Sequence, residues 1–285
     1  MKRLFDTLLR QSDGRPDDGP HNASLRAVFQ PIAASAGLAV LGYEGLIRGP
    51  AGSSLESPAA LFAWARANGR QRELETACLR TVLAGFTRLA LPGKLFVNVS
   101  AAILLGLDGP DHERPAADAP NSQLARLLRG LGADPARVVI EITEEQAVAD
   151  YPRLLEVARG LAALGYALAI DDLGAGYASL RLWLELRPSF VKLDNAFVRG
   201  SDADPFKRCF LGAMQHLARC ADACLIAEGV ESAAELALLQ KLGVAYVQGY
   251  HLARPSALPP RRLDPSQFHA DPAAVTTDQL LQLGP

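Results

Sequence analysis

The stretch AVFQPIAASAGLAVLGYEGLI, residues 27–47, decides the architecture. It holds two apolar runs, 27–30 and 38–47, separated only by PIAASAG. Such a link is too short for the crossover of a dozen or more residues that parallel neighbours need, so these two strands are expected to be antiparallel. Downstream the texture changes. Further apolar runs occur at 95–99, 138–142, 166–170, 190–193, 223–227 and 244–249. Between most of them lie segments with apolar residues at three- and four-residue spacing: 58–68, 72–89, 122–131, 151–164, 177–186, 205–220 and 233–242. Asp204-Pro205 places an N-cap before a proline at the first helical position. Gly165 and Gly243 stand where a helix ends in a left-handed turn. Strand–helix alternation without a break in composition predicts one parallel α/β domain, and eight runs fit a closed barrel better than an open sheet.

That domain is expected to occupy residues 26–258. A polar leader at 1–25, with one amphipathic turn at 5–9, precedes it, and a Pro/Asp-rich tail at 259–285, with a weak helix at 277–283, follows. The polar segment 106–121 is expected to be a surface insertion. The chain has 285 residues, 49% of them apolar and 21% charged, as in a folded globular protein. A net charge of −2 gives no global field toward DNA or an acidic membrane. No run has the length of a membrane span. The cysteines Cys78, Cys209, Cys220 and Cys224 lack CxxC spacing and are expected to be reduced thiols of a cytoplasmic protein.

The chemistry sits at the ends of the apolar runs. Glu44, Asn98, Glu141, Asp171 with Asp172, Lys192 with Asp194, Glu228 and Gln248 each fall at or just after the end of a different run. In parallel barrels the C-terminal strand ends form the reactive face. One such acid is ordinarily a solvated loop residue; matched positions on so many runs point to a single pocket. Carboxylates against apolar strands are costly unless paired or bound to a cation. Carboxylates with one amide, and no histidine or cysteine cluster, form a hard set suited to Mg²⁺ or Mn²⁺. Consecutive Asp171 and Asp172 could each reach a different ion, and paired ions imply hydrolysis of a phosphoryl ester. Lys192 would add positive charge beside the phosphate, or else simply pair with Asp194.

The ordered motifs QPI (30–32), YEGLIR (43–48), NVS (98–100), EITE (141–144), DDLGAGYASL (171–180), VKLD (191–194), AEGVES (227–232) and QGY (248–250) resemble the EAL-domain phosphodiesterases of the bacterial messenger cyclic di-GMP. The resemblance covers about residues 29–255. It implies a modified TIM-type (β/α)8 barrel whose first strand runs against the rest, and hydrolysis of cyclic di-GMP to linear pGpG. It implies one cation on Glu44, Asn98, Glu141 and Asp171, and a second on Asp171, Asp172 and Glu228. Lys192 would assist the attacking water, with Glu228 beside it and with Asp194, Glu231 and Gln248 orienting it or the groups behind it. Gln30, Glu44, Leu46, Arg48 and Asp172 would meet the substrate, and Glu144 would anchor the loop after the fifth strand. Two Mg²⁺ or Mn²⁺ ions, inhibition by Ca²⁺, a homodimer and a possible regulatory protein partner complete the expectation.

Three departures bear on activity. Gly45 stands where the family's name-giving triplet has alanine, Leu173 where the loop has an aromatic residue, and Ala175 where it has threonine. Gly45 is expected to cost only backbone entropy, and the other two to affect loop order. A receptor or scaffold that keeps the pocket without turnover is the alternative, and a metabolic barrel enzyme using one Mg²⁺ is a third reading. Guanine bases require a stacking surface, which no spacing pattern assigns.

Overall fold

A computed structural model describes residues 2–12, 24–106, 123–143, 150–174 and 180–268. Eight strands close a barrel in chain order: β1 (Arg26–Ala34), β2 (Val40–Arg48), β3 (Lys94–Ser100), β4 (Val138–Thr143), β5 (Ala167–Leu173), β6 (Phe190–Leu193), β7 (Cys224–Ala227) and β8 (Tyr246–Val247). β1 is antiparallel to β2 and to β8, and all other neighbours are parallel.

β1 runs further than its apolar text, through Pro31 to Ala34, so the link to β2 is shorter than expected. Proline is tolerated there for a geometric reason. Phe29, two residues earlier, exchanges backbone hydrogen bonds with Ser256 (2.8 and 3.0 Å), so its N–H points away from β2. Pro31 shares that orientation, and its missing donor removes nothing from the β1–β2 ladder.

The helices are α1 (Lys2–Ser12), α2 (Pro58–Ala67), α3 (Gln71–Arg88), α4 (Ala101–Leu105), α5 (Gln123–Gly130), α6 (Tyr151–Ala163), α7 (Leu180–Leu186), α8 (Asn195–Val198), α9 (Pro205–Cys220) and α10 (Ala233–Leu242). Seven of them answer to expected segments. The expected turn at 5–9 is a full helix, α1, docked on the barrel's outer layer. Phe5 is buried against Trp64 with ring centroids 4.3 Å apart, and the Arg70 guanidinium lies 4.9 Å from the Phe5 ring while pairing with Asp6. α4 and α8 were not expected. Each starts directly from a strand on a side-chain cap, Ser100 accepting from Ile103 N and Asp194 accepting from Ala196 N at 2.8 Å. The insertion loop and the tail helix at 277–283 lie outside the described residues.

Strand alternation sorts the side chains into two cores. Leu95, Val97, Ile140, Ile142, Leu168, Ile170, Val191 and Leu193 face outward and join the buried residues of the helices in one large cluster. Ile32, Phe96, Val139, Ala169, Phe190 and Ile226 face inward and fill the barrel. Phe96 meets Phe190 edge-on at 5.3 Å, and Phe190 approaches Tyr246 at 6.2 Å. Burying each large apolar side chain of this kind contributes about 1.5–3 kcal/mol.

Candidate active site

Two residues along each strand from the inward apolar layer, alternation returns a side chain to the barrel interior, and there the residue is polar. Asn98 follows Phe96, Glu141 follows Val139, Asp171 follows Ala169, Lys192 follows Phe190 and Glu228 follows Ile226. Gln30 precedes Ile32 because β1 is reversed, and it pairs in register with Glu44. One turn of sequence thus converts a dry plug into a charged layer at the barrel mouth.

Lys192 lies at the centre of that layer, 1% exposed. Its Nζ is 2.8 Å from Asp171 Oδ1, 2.8 Å from Glu228 Oε1, 2.9 Å from Glu141 Oε1 and 3.4 Å from Glu44 Oε2. The alternative pairing of Lys192 with Asp194 is not formed. Glu44 is held from both sides: Asn98 Nδ2 donates to Oε1 at 2.9 Å and Gln248 Nε2 donates to Oε2 at 2.7 Å. Gln248 also donates to Gln30 Oε1 at 3.1 Å, and Gln30 Nε2 donates to Ala253 O at 3.0 Å.

Asp171 and Asp172 would face opposite sides of a regular strand. Here the β5–β6 register shifts between Ile170 and Leu173, and Asp172 adopts φ 48°, a left-handed conformation unusual for a non-glycine residue. The irregularity turns both carboxylates to the mouth. Oxygens of Asp171, Asp172 and Glu228 lie within 4.8 Å of one another, a spacing that a divalent ion could bridge.

One ammonium cannot neutralise four carboxylates. Burial pushes Glu141 and Glu228 well above the usual carboxylate range, and Lys192 offsets only part of that. Burial, with Asp171 next to it, raises Asp172 to about 6. Glu44 behaves differently: burial works to raise it, but Lys192 and the donors Gln248 and Asn98 outweigh burial and hold it low. Lys192 itself loses solvation, yet Asp171, Glu141, Glu228 and Glu44 together raise it well above an ordinary lysine. Its ammonium is shared among the four acids as a donor and a positive charge. Glu141 is fully buried, and its Oε2 has no hydrogen-bond partner among the described residues. An orphaned buried carboxylate oxygen is costly. The layer is short of positive charge and short of donors, and hard divalent cations fit both deficits.

Among the described residues, two cavities flank this layer. One, of about 470 Å³, is lined by Gly45, Leu46, Phe62, Arg66, Glu75, Asn98, Ser100, Asp171 and Asp172 among others. The other, of about 230 Å³, is lined by Gln30, Glu44, Asn195, Arg199, Glu228, Glu231, Gln248 and Tyr250 together with Gly229 and Gly249. Gly45 does more than spare a ligand. A Cβ at that position would lie 2.2 Å from Val82 Cγ1, so the valine of α3 occupies the space that alanine would take.

The other expected residues are placed less centrally. Asp194 caps α8. Glu231 is on the rim of the smaller cavity, in an ion pair with Arg199. Arg48 donates to its own neighbour, Ile47 O, at 2.8 Å. Glu144 lies outside the described residues. Sequence reading missed Glu75, a buried carboxylate on α3 that accepts from Ser100 Oγ at 2.8 and 2.9 Å and from Gln71 Nε2 at 2.8 Å. Its signal was an acid within the apolar stripe of a helix. Arg199 and Tyr250 were missed because nothing local marks a rim.

Comparison with known proteins agrees with this geometry. The EAL domain family model matches residues 16–255. The chain is 34% identical over 136 residues to the probable cyclic di-GMP phosphodiesterase PdeA of Escherichia coli K12, covering 48% of this chain and 19% of that protein. It is 28% identical over 260 residues to an uncharacterized signaling protein of Caulobacter vibrioides, covering 90% of this chain and 31% of the other. The chain thus spans a third or less of the length of these relatives. Among solved structures, a standalone EAL protein of Vibrio cholerae in its c-di-GMP-bound form matches with a TM-score of 0.69 at 28% identity, over 86% of this chain and 98% of that one. A manganese/cy-diGMP complex of Klebsiella pneumoniae BlrP1 matches with a TM-score of 0.70 at 28% identity, over 85% and 58%. The charged layer, the reversed first strand and these likenesses agree: the chain belongs to the EAL domain family.

Proposed function

We propose that the charged layer is a two-cation centre that hydrolyses cyclic di-GMP to linear pGpG. The observation that carries this reading is the set of four carboxylates around one buried lysine, with Glu141 Oε2 left unpartnered. Asp171, Asp172 and Glu228 would hold one ion, and Glu44, Asn98, Glu141 and Asp171 the other. Mg²⁺ or Mn²⁺ bound there would lower the pKa of a water and neutralise the phosphate oxygens.

The chain's own groups supply the rest. Asn98 and Gln248 fix the Glu44 carboxylate in one orientation, so little rearrangement is needed when substrate arrives. Lys192, held among four carboxylates, would place positive charge at the floor of the site, where it would assist the attacking water and stabilise negative charge developing on the phosphate. The bulge at Asp171–Asp172 presents two carboxylates where a regular strand would present one. Asp194, which caps α8 and lies close enough to Asp172 to help raise it, and Glu231, paired with Arg199 beside the smaller cavity, would orient the water or the groups behind it. Leu46 offers an apolar wall beside Asp171 and Asp172. On α7, exposed Leu180 and Leu184, one turn apart, offer a face for a homodimer. No described helix is long and apolar enough to cross a membrane.

Purified protein incubated with cyclic di-GMP and Mg²⁺ or Mn²⁺ should release pGpG, and chelation should stop it. Ca²⁺ should support binding without turnover. Binding without any turnover in Mg²⁺ and Mn²⁺ would replace this reading with that of a receptor.

A further inference from the structure

We propose that Glu75 of α3 is a positioning residue for the charged layer: its carboxylate takes the place of a neighbouring strand at the tip of β3 and so sets where Asn98 stands. The inference rests on the function proposed above and adds a residue on which the same centre depends.

β3 loses one neighbour before it reaches the mouth. Its register with β2 runs from Gly42–Lys94 to Gly45–Val97 and stops there, whereas with β4 it continues through Asn98–Glu141 to Ser100–Thr143. The end of the strand, Asn98 included, is thus paired with a strand on one side. The cavity of about 470 Å³ opens beside it, lined by Leu46, Val97, Asn98 and Ser100 among others. A strand end with one edge unpaired and open space beside it has room to shift.

Glu75 closes that edge. Ser100 N donates to its Oε2 at 3.3 Å, and Ser100 Oγ lies 2.8 and 2.9 Å from the two carboxylate oxygens. The hydroxyl proton is thereby committed to Glu75, and a lone pair is left to accept from Ile103 N at 3.3 Å, at the start of α4. One carboxylate therefore fixes both the last residue of β3 and the first turn of the helix that follows. Gln71, one turn earlier on α3, donates to Glu75 Oε1 at 2.8 Å and holds the carboxylate itself.

The residue type supports a role beyond packing. The other buried residues of α3 are Leu74, Ala77, Leu79, Val82, Leu83, Gly85 and Phe86, all without charge. A carboxylate in that stripe costs free energy that a leucine of similar size would not. What it positions is two residues away: Asn98 and Ser100 stand on the same face of β3, and Asn98 Nδ2 donates to Glu44 Oε1 at 2.9 Å. Slack at Ser100 is slack at Asn98, and a misplacement of about 1 Å in a reacting centre is enough to cost about a hundredfold in rate.

The test compares wild type, Glu75→Leu, Glu75→Gln, Ser100→Ala and the E75L/S100A double variant, by calorimetric titration of Mn²⁺ into the metal-free protein and by pGpG formation. E75L keeps the volume and removes the acceptors. It should raise the Mn²⁺ Kd and lower kcat, each by about 10- to 100-fold, with KM changed by less than about threefold. E75Q should stay within about threefold of wild type, because its amide oxygen can accept from Ser100 while Gln71 turns its own amide over to meet the new NH₂. S100A should lose less than E75L but in the same direction, and the double variant should lose less than the product of the two single losses, since both break one contact. Wild-type Mn²⁺ affinity and kcat in E75L would reduce Glu75 to packing, overturning the proposal and leaving the reaction standing. A loss confined to KM would do the same, by marking Glu75 as a substrate contact. E75Q as impaired as E75L would show that the charge, not the acceptors, is needed, and would also overturn it. Weakened Mn²⁺ binding in E75L, in a protein whose wild type does not cleave, would uphold the positioning role and remove the reaction. Wild type that neither binds Mn²⁺ nor cleaves overturns both.

Discussion

Two layers inside the barrel, two residues apart on the same strands, obey opposite rules. The lower layer, Ile32, Phe96, Val139, Ala169, Phe190 and Ile226, is dry, closely packed and electrically silent. The upper layer, Gln30, Glu44, Asn98, Glu141, Asp171, Lys192, Glu228 and Gln248, is also largely buried, yet it gathers four carboxylates on one ammonium and leaves an oxygen unpartnered. Burial is nearly the same in both; what differs is whether burial is compensated. The difference teaches where stability ends and function begins: the plug holds the strands, and the layer above uses that rigidity to keep like charges together.

If this division is right, the two layers dissociate under mutation. Phe96→Ala, in the plug, should cost about 3–5 kcal/mol of folding stability in a denaturant titration, while the folded fraction keeps its Mn²⁺ affinity within about tenfold. Glu141→Gln, in the charged layer, should do the reverse. It should lower turnover by at least about a hundredfold in a pGpG assay, yet raise the melting temperature of the metal-free protein by a few degrees, because a buried charge is removed. A Glu141→Gln protein that melts lower than wild type without metal would erase the comparison.

A smaller effect is expected where the mouth meets α3. Gly45→Ala drives a methyl into Val82 and should cost about 1–3 kcal/mol, and Gly45→Ala with Val82→Ala should recover part of it in a double-mutant cycle. Independent, additive effects would show that Val82 is not the obstacle.

The smallest effect follows from pH. Asp172 goes from an ordinary 3.8 to about 6 in the fold, so the folded state holds its proton more tightly than the unfolded chain. The sign is then fixed: the metal-free protein is at its most stable below about pH 4 as far as this group is concerned, and loses that contribution as pH rises through 6. Glu141 and Glu228 push the same way and Glu44 the opposite way. Melting curves between pH 4 and 7 should show the decline without metal, and Mn²⁺ should reverse it. A metal-free melting temperature that climbs across that interval would contradict the charge deficit.

Much of this division was legible in the sequence. All eight apolar runs are strands, and the short link after residue 30 forced the reversed first strand. The ends were harder. Pro31 was placed in the link after the first run rather than in the strand, because sequence does not say toward which neighbour its nitrogen points. α4 and α8 are too short for helical periodicity, though Ser100 and Asp194 marked their starts as caps. The members of the charged layer could be listed from strand ends, because alternation and the strand-end rule both act locally. Their division between centre and rim could not. Glu231 is set apart by Arg199, thirty-two positions away, and that pairing exists only once the barrel is closed. Gly45 was underestimated for a similar reason, since Val82 comes from a helix that meets the strand only in the fold.

The account turns on cations completing the upper layer. A crystal grown with Mn²⁺ and examined by anomalous scattering tests that most directly. Two peaks about 3.5–4 Å apart, both touching Asp171 and one reaching Glu141, are the predicted result. A map with no peak in the layer, or with Mn²⁺ bound only elsewhere on the molecule, would contradict it.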